Sequence, residues 1–285
     1  MDGLVSLSKQ RINQSAYTAE DQLRFALAYE ANAAAYAVAL TEAAGGQTWH
    51  EPDFTLTLFP FAHSISGVFL PRFKEEAFAE RIKMILEIAR QQRKKILFRL
   101  GPAPQPVDLA WRLAKIGIRK SNTQKYMAIP LTDDSLMLNQ PAQPSGLAGL
   151  RIYPVDDYGV LSQKLHPRMG AINSAKKRCL VQAFQKLAGQ TPRRHWMFLA
   201  ELDGKLIASV GLFIHQDSVS GYDLLVLPEY RRQGIGSAML HQIAQFTREQ
   251  GASLGVLASS VQGMHFYPQL GIAHIGAFPI HTYAP

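Results

Sequence analysis

The chain has 285 residues, enough for two ordinary domains or one large one. Its 47% hydrophobic and 18% charged residues exclude wholesale disorder; its single cysteine, Cys179, excludes an intramolecular disulfide, so a reducing, cytoplasmic setting is expected. A formal net charge of +8 suits an anionic small ligand at least as well as nucleic acid, and no apolar run approaches the ~18 residues of a membrane span.

In chain order, Thr18 with Asp21 has the pattern of an N-cap, and it opens a long alanine-rich helix that stops at Gly45 and Gly46. Phe54 to Leu58 alternates as a strand. Glu75 to Gln92 carries Phe78, Ile82, Ile85, Leu86 and Ala89 at helical spacing. A short strand at Ile96 to Phe98, a helix around Leu109 to Ala114 and a strand at Tyr126 to Leu131 complete the first half. The stretch from Thr132 through Pro141, Pro144 and Gly149 is polar and rich in turn formers, and reads as a linker. Beyond it come a strand at Arg151 to Val155 and a helix over Ala175 to Leu187. A hairpin then joins Met197–Glu201 to Leu206–Ile214 through Asp203-Gly204. A strand at Tyr222 to Leu227, a helix from about Gly236 to Gln250 and a strand at Leu254 to Ala258 follow. Strands that alternate with helices make the class mixed α/β.

The halves also resemble one another. Phe69-Leu-Pro-Arg-Phe-Lys74 parallels Val226-Leu-Pro-Glu-Tyr-Arg231. Each is followed by a helix, a short apolar strand and an apolar-Gly-Ile segment, Ile116 to Ile118 and Leu270 to Ile272. Several matches in the same order argue for one fold used twice.

The segment richest in chemistry is Leu224 to Leu240. A strand ends at Pro228, a turn reads Arg231-x-x-Gly234-x-Gly236, and an amphipathic helix begins. Backbone amides of such a turn, with the positive helix end, form a site for phosphate oxygens, and glycines keep side chains out of the way. It is not the dinucleotide fingerprint, because Met239 stands where a third small residue belongs, nor is it a P-loop.

This turn resembles the pyrophosphate-binding motif, Arg/Gln-x-x-Gly-x-Gly/Ala, of the GNAT superfamily of N-acetyltransferases. Ser260, Gly263, Tyr267 and Gly271 extend the likeness, falling where that family carries Asn or Ser, a small residue, a tyrosine and a glycine; Ile272 replaces the usual Phe. The resemblance covers residues 150 to 285. Over the whole chain the arrangement is similar to tandem GNAT proteins, in which a degenerate first copy precedes an active second one. It implies a degenerate domain at 1–140, a linker at 141–149 and a catalytic domain at 150–285, each domain a twisted mixed sheet flanked by helices. Where the second copy has Arg231 to Gly236, the first has Lys74-Glu-Glu-Ala-Phe-Ala79, whose carboxylates repel phosphate and whose lost glycines cover the amides.

The resemblance further implies acetyl-CoA as co-substrate and direct attack on its thioester by an amine of a small molecule or a protein. Arg231, Arg232, Gln233, Gly234, Ile235, Gly236 and Ser237 would then hold the pyrophosphate. Leu225 and Val226 would offer backbone amides to the pantetheine and the thioester oxygen, and Ser260 would bond the cofactor. Tyr267 matches the general acid that protonates the departing thiolate, although Pro268 beside it is expected to kink or end its helix. For the general base, Asp223 is preferred, with Glu201, His215 and His265 as other candidates. The histidines His166, His195, His274 and His281 have no metal-ligand spacing, so no metal is expected.

The acceptor pocket is expected from the linker, the 171–192 region and the C-terminal Phe278 to Tyr283, with Phe278, Tyr283 and Trp196 as aromatic lining. A homodimer is compatible with all of this. The alternative reading is a non-catalytic acyl-CoA-binding regulatory protein. Nucleic-acid binding is motivated by charge alone: the basic runs at Arg93–Lys95 and Lys176–Arg178 are short and lack interleaved aromatics.

Overall fold

The computed structural model describes residues 17–62, 65–132, 147–156, 158 and 174–285; most of the expected linker, and His166, lie outside the described residues. The first element is α1 (Ala19–Ala43), capped by the Thr18 hydroxyl, which accepts a hydrogen bond from the Asp21 amide at 3.1 Å, and ended where Gly45 turns left-handed. There follow β1 (Gln47–Glu51), β2 (Phe54–Leu58), β3 (Gly67–Phe69), α2 (Phe78–Gln91), β4 (Ile96–Arg99), α3 (Leu109–Lys115) and β5 (Arg119–Pro130). The second half contains β6 (Leu150–Pro154), α4 (Ser174–Ala188), β7 (His195–Leu202), β8 (Lys205–His215), β9 (Ser218–Val226), α5 (Ile235–Glu249), β10 (Leu254–Ser259), the single turn α6 (Gly263–Phe266) and β11 (Ala273–Tyr283).

All the strands join one sheet in the order β1-β2-β3-β4-β11-β5-β10-β9-β8-β7-β6. Side chains alternate across it and so separate two helical layers. Leu56, Val68 and Phe98 pack beneath Ile82 and Ile85 of α2 and Leu109 and Leu113 of α3. On that same side of the second half, Phe198, Val210 and Leu212 pack beneath Met239 and Ile243 of α5. The opposite side carries α1 and α4, where Ala37 and Leu40 meet Val181, Phe184, Leu199 and Phe213. Helix α1 crosses both halves, touching β1 and β2 as well as β5 and β8 to β11.

From α1 in the first half and α4 in the second, the two halves run through the same succession of elements, the second carrying β6 in addition, and each gives its last strand to the other. Strand β5 of the first half pairs antiparallel with β10 of the second, while β11 of the second pairs antiparallel with β4 of the first. The exchanged strands pair with each other along their length, Ala273 opposite Ala128 and Thr282 opposite Arg119. The sheet is therefore continuous across the seam.

Strand β11 has no counterpart among the predicted elements. Pro279 and Gly276 interrupt its alternation, and the pairing with β5 shifts register at His274/Gly276. Its presence corrects the expected aromatic pocket, because Phe278, Tyr283 and Trp196 do not converge. Phe278 packs on Tyr126, ring centroids 4.7 Å apart; the Tyr283 hydroxyl accepts from Arg90 Nε at 2.9 Å; Trp196 meets Phe246 edge-on under α5.

Candidate functional site

The chemistry-bearing turn sits where β9 and β10 part. They pair in parallel only from Ser218/Leu254 to Ser220/Val256, while β9 continues to Val226 and β10 to Ser259. From Gly221 onward the β10 side of β9 is an open edge. A bulge marks the divergence. Tyr222 lies opposite Gly211 and Leu225 opposite Ser209, so Asp223 and Leu224 together face one residue, and Asp223 takes a left-handed φ of 56°. The bulge resets the side-chain alternation. Tyr222 faces α1, whereas Leu224 and Val226 pack toward α5.

At the mouth of this split, residues 228–230 make a 3₁₀ turn, and Arg232 and Gly234 have φ of 64° and 82° before α5 begins. Gly234 is the N-cap, and no side chain caps this helix end among the described residues. Its first intrahelical bond runs from the Ala238 amide to Gly234 O, which leaves the amides of Ile235, Gly236 and Ser237 without helical acceptors. Two left-handed residues in this approach turn successive amides toward a common concavity. Arg231 Nε donates to Val226 O at 3.0 Å and so holds its guanidinium across the open edge; Gln233 Nε2 donates to Glu229 O at 3.2 Å. Packing is close at Gly236 too: a Cβ there would stand 3.2 Å from the Phe266 ring, which would have to shift by a few tenths of an ångström.

The other wall is the segment from Ser259 to Leu270. The Ser260 hydroxyl accepts from the Gly263 amide at 3.1 Å and so starts α6. A Cβ on Gly263 would fall 2.7 Å from Tyr267 Cε2, so this glycine makes room for the tyrosine ring. Pro268 does not displace the tyrosine. It begins a 3₁₀ turn over Tyr267–Leu270, in which a first-turn residue needs no amide donor. The Tyr267 ring lines a cleft of about 560 Å³, its open mouth included, together with Leu224, Gly221 and residues of α5. Burial pushes the phenol of Tyr267 above its ordinary pKa of 10.0, so it keeps its proton at neutral pH.

Asp223 lies on the other side of the split strand. Its charge is felt by Tyr36 of α1, whose ring stacks on Tyr222 at 3.8 Å between centroids. The residue is open to solvent yet set in a concavity, and the surrounding protein bulk raises its carboxyl above 3.8. Beneath it is a buried polar pair. Tyr222 OH donates to Asn32 Oδ1 at 3.0 Å, and Asn32 Nδ2 donates to Phe213 O and Ser218 O. The first half of the chain thus supplies one wall of the site, a contribution from Tyr36 and Asn32 that the motifs did not signal.

Of the other base candidates, His265 lies on α6 in the site wall, whereas Glu201 and His215 stand apart. Glu201 is buried on β7 and accepts from Arg151 Nη2 at 2.8 Å. His215 ends β8, where burial lowers its pKa. Among the described residues no group of three or more His, Cys, Asp or Glu side chains is arranged to hold a metal, and no helix is long and apolar enough to cross a membrane.

Known proteins resemble this chain in part of its sequence and in its fold. Residues 163–272 match the acetyltransferase (GNAT) family. Among solved structures, the chain is similar to a GCN5-related N-acetyltransferase from Kribbella flavida, at 16% identity and a TM-score of 0.57, over 89% of this chain and 96% of that one. It is also similar to a tandem GNAT protein from the clavulanic acid biosynthesis pathway, at 15% identity and TM-score 0.59, over 81% and 78% of the two chains. A conserved protein of unknown function from Staphylococcus epidermidis gives 12% identity and TM-score 0.58 over 84% and 94%. These identities establish a shared fold. No curated protein sequence matches the chain.

Proposed function

We propose that this protein is an N-acyltransferase that moves an acyl group, in its simplest form acetyl, from a coenzyme A thioester to an amine. One observation carries the reading: an uncapped helix N-terminus with two left-handed residues lies at the mouth of a split between parallel strands, and a half-buried tyrosine lines that split. The residues fit a pyrophosphate with a slender arm. The amides of Gly234 to Ser237 and the guanidinium groups of Arg231 and Arg232 would receive the phosphates, and the open edge of β9 at Leu225 and Val226 would receive the arm. When bound, the thioester supplies an activated acyl carbon.

The chain's own residues do the rest. The Val226 backbone lies on the open edge, as the Arg231 contact to its carbonyl requires, so its amide is aimed into the split and supplies a fixed donor for charge developing on a carbonyl oxygen. Tyr267, held protonated by burial, donates its phenolic proton on the α5 side of the split. Asp223, on the α1 side, accepts a proton from an incoming ammonium. Donor and acceptor then approach from opposite faces of the sheet, and each proton transfer has its own group. Ser260 serves here through its hydroxyl, which accepts from the Gly263 amide in the turn ahead of Tyr267.

In the first half, the segment corresponding to the phosphate turn has no left-handed residue between Lys74 and Ala79, and Glu75 is tied to Arg112 at 2.6 Å. We read that half as a copy without a phosphate site, which supports the active one through α1 and β5. The acceptor is a small amine or a protein amino group.

The test is a pair of measurements on Tyr267→Phe: coenzyme A affinity by calorimetry, and turnover of acetyl-CoA over a panel of amines. Retained affinity with turnover reduced ~10²-fold or more supports the proposal. A wild type that binds coenzyme A without turning over any amine makes the protein a non-catalytic binder. A wild type that does not bind it at all refutes the reading.

A further inference from the structure

The cleft beside Tyr267 continues past the point where the strands rejoin. It runs from Leu224 and Tyr267 at the split to Val219 on β9 and Thr247 on α5, below the last paired residues Ser220 and Val256. Between Leu240 and Thr247 the helix advances ~10 Å, the length of an extended chain of about eight carbons. Without its open mouth the cavity has a volume of about 60 Å³, several times the ~10–15 Å³ that one water needs.

The walls are aliphatic. Ile243, Leu257 and Ile129 are among them, and the one hydroxyl besides that of Tyr267 at the mouth, on Thr247, is already spent on the Ile243 carbonyl at 2.8 Å. Such a space offers water nothing and offers an alkyl chain a dry surface. Two small residues keep it open. A Cβ on Gly221 would stand 3.7 Å from Val210, an ordinary contact, so the strand itself does not require glycine there; Ala244 presents only a methyl from α5.

We infer that this cleft is an acyl-chain site, and that the protein's donor is a coenzyme A thioester of an unbranched aliphatic acid longer than acetate, of roughly four to eight carbons. The inference rests on the proposed acyltransferase reading, which puts the thioester beside Tyr267. The chain enters from the donor side because the cleft is lined by α5, whereas Asp223, the group that would meet an amine, lies toward α1.

The test is calorimetric binding of free coenzyme A and its acetyl, butyryl and hexanoyl thioesters to the full chain, with turnover measured alongside. Each buried methylene is worth about fourfold in affinity, so butyryl-CoA should bind at least about tenfold tighter than acetyl-CoA, and hexanoyl-CoA tighter again. Ala244→Leu and Gly221→Val, which fill the cleft from opposite walls, should erase that ranking while free coenzyme A still binds. If acetyl-CoA binds as tightly as the longer thioesters, the inference is overturned and the acyltransferase reading stands. If free coenzyme A fails to bind the wild type, the reading itself fails. If both filled variants keep the wild-type ranking of the thioesters while their melting temperatures rise, the cleft is a packing void and the inference is overturned.

Discussion

His195 offers a quantitative test of how α1 and α4 are held against the sheet. Its ring is 1% exposed, stacks on Phe184 at 4.9 Å and lies 6.2 Å from Tyr36. Nδ1 lies 3.4 Å from Tyr158 OH, and Nε2 has no partner among the described residues. Burial first, and Arg193 second, lower its pKa from 6.5 to about 3. The unfolded chain therefore takes up a proton near pH 6.5 that the folded chain refuses until about pH 3. Stability is complete above the higher value and falls with pH between the two. At 1.36 kcal/mol per pH unit, acidification from 7 to 5 should cost about 2 kcal/mol, or a melting-temperature drop on the order of 4 °C or more in a chain of this size. His195→Phe keeps a ring in the stack and removes the titration. Denaturant midpoints for both proteins at pH 7, 6 and 5 should show the variant gaining about 2 kcal/mol on the wild type at the acid end. Parallel loss in the two proteins, or an imidazole that titrates near pH 6 by NMR in the folded state, would refute the reasoning.

Three further outcomes are expected. Gly236→Val should raise the apparent KM for acyl-CoA at least tenfold, since its side chain would meet Phe266 and cover the first-turn amides; steady-state kinetics at saturating amine checks this. Tyr222→Phe leaves Asn32 Oδ1 without its buried donor and should cost about 1–3 kcal/mol in chemical denaturation. Asp223→Asn should lower kcat by about two orders of magnitude. In the wild type the rate should rise with pH through a carboxyl midpoint above 3.8, and that limb should vanish from the pH–rate profile of the variant.

Local signals carried much of this protein. Thr18 caps its helix as the sequence spacing requires, Asp203-Gly204 turns its hairpin with φ of 51° and 80°, and Gly234 takes the left-handed conformation that the turn motif demands. Each of these is decided within a few residues, so it can be read from a short window. What escaped was decided at a distance. The bulge at Asp223 depends on pairing with β8, the aromatic wall over it comes from α1 some 190 residues away, and β11 exists because β4 and β5 each leave an edge for it. Phe278 and Tyr283 illustrate the difficulty. Two aromatics near a chain end suggest a pocket lining, yet strand partners on opposite sides carry them to separate cores.

The exchange of strands at the seam also bears on how the chain is made. Strand β11 occupies the middle of the sheet but is translated after every other element, and at ~5–20 residues per second the ribosome needs roughly 8–30 s to reach it after finishing β5. Throughout that interval the edges of β4 and β5 that face each other have no strand between them, which exposes them to neighbouring nascent chains. The first half cannot be completed and set aside while the second emerges. Chains arrested on the ribosome before Ala273 should remain protease-sensitive in both halves, and the molecule closes in a single late event once its last strand is free to enter.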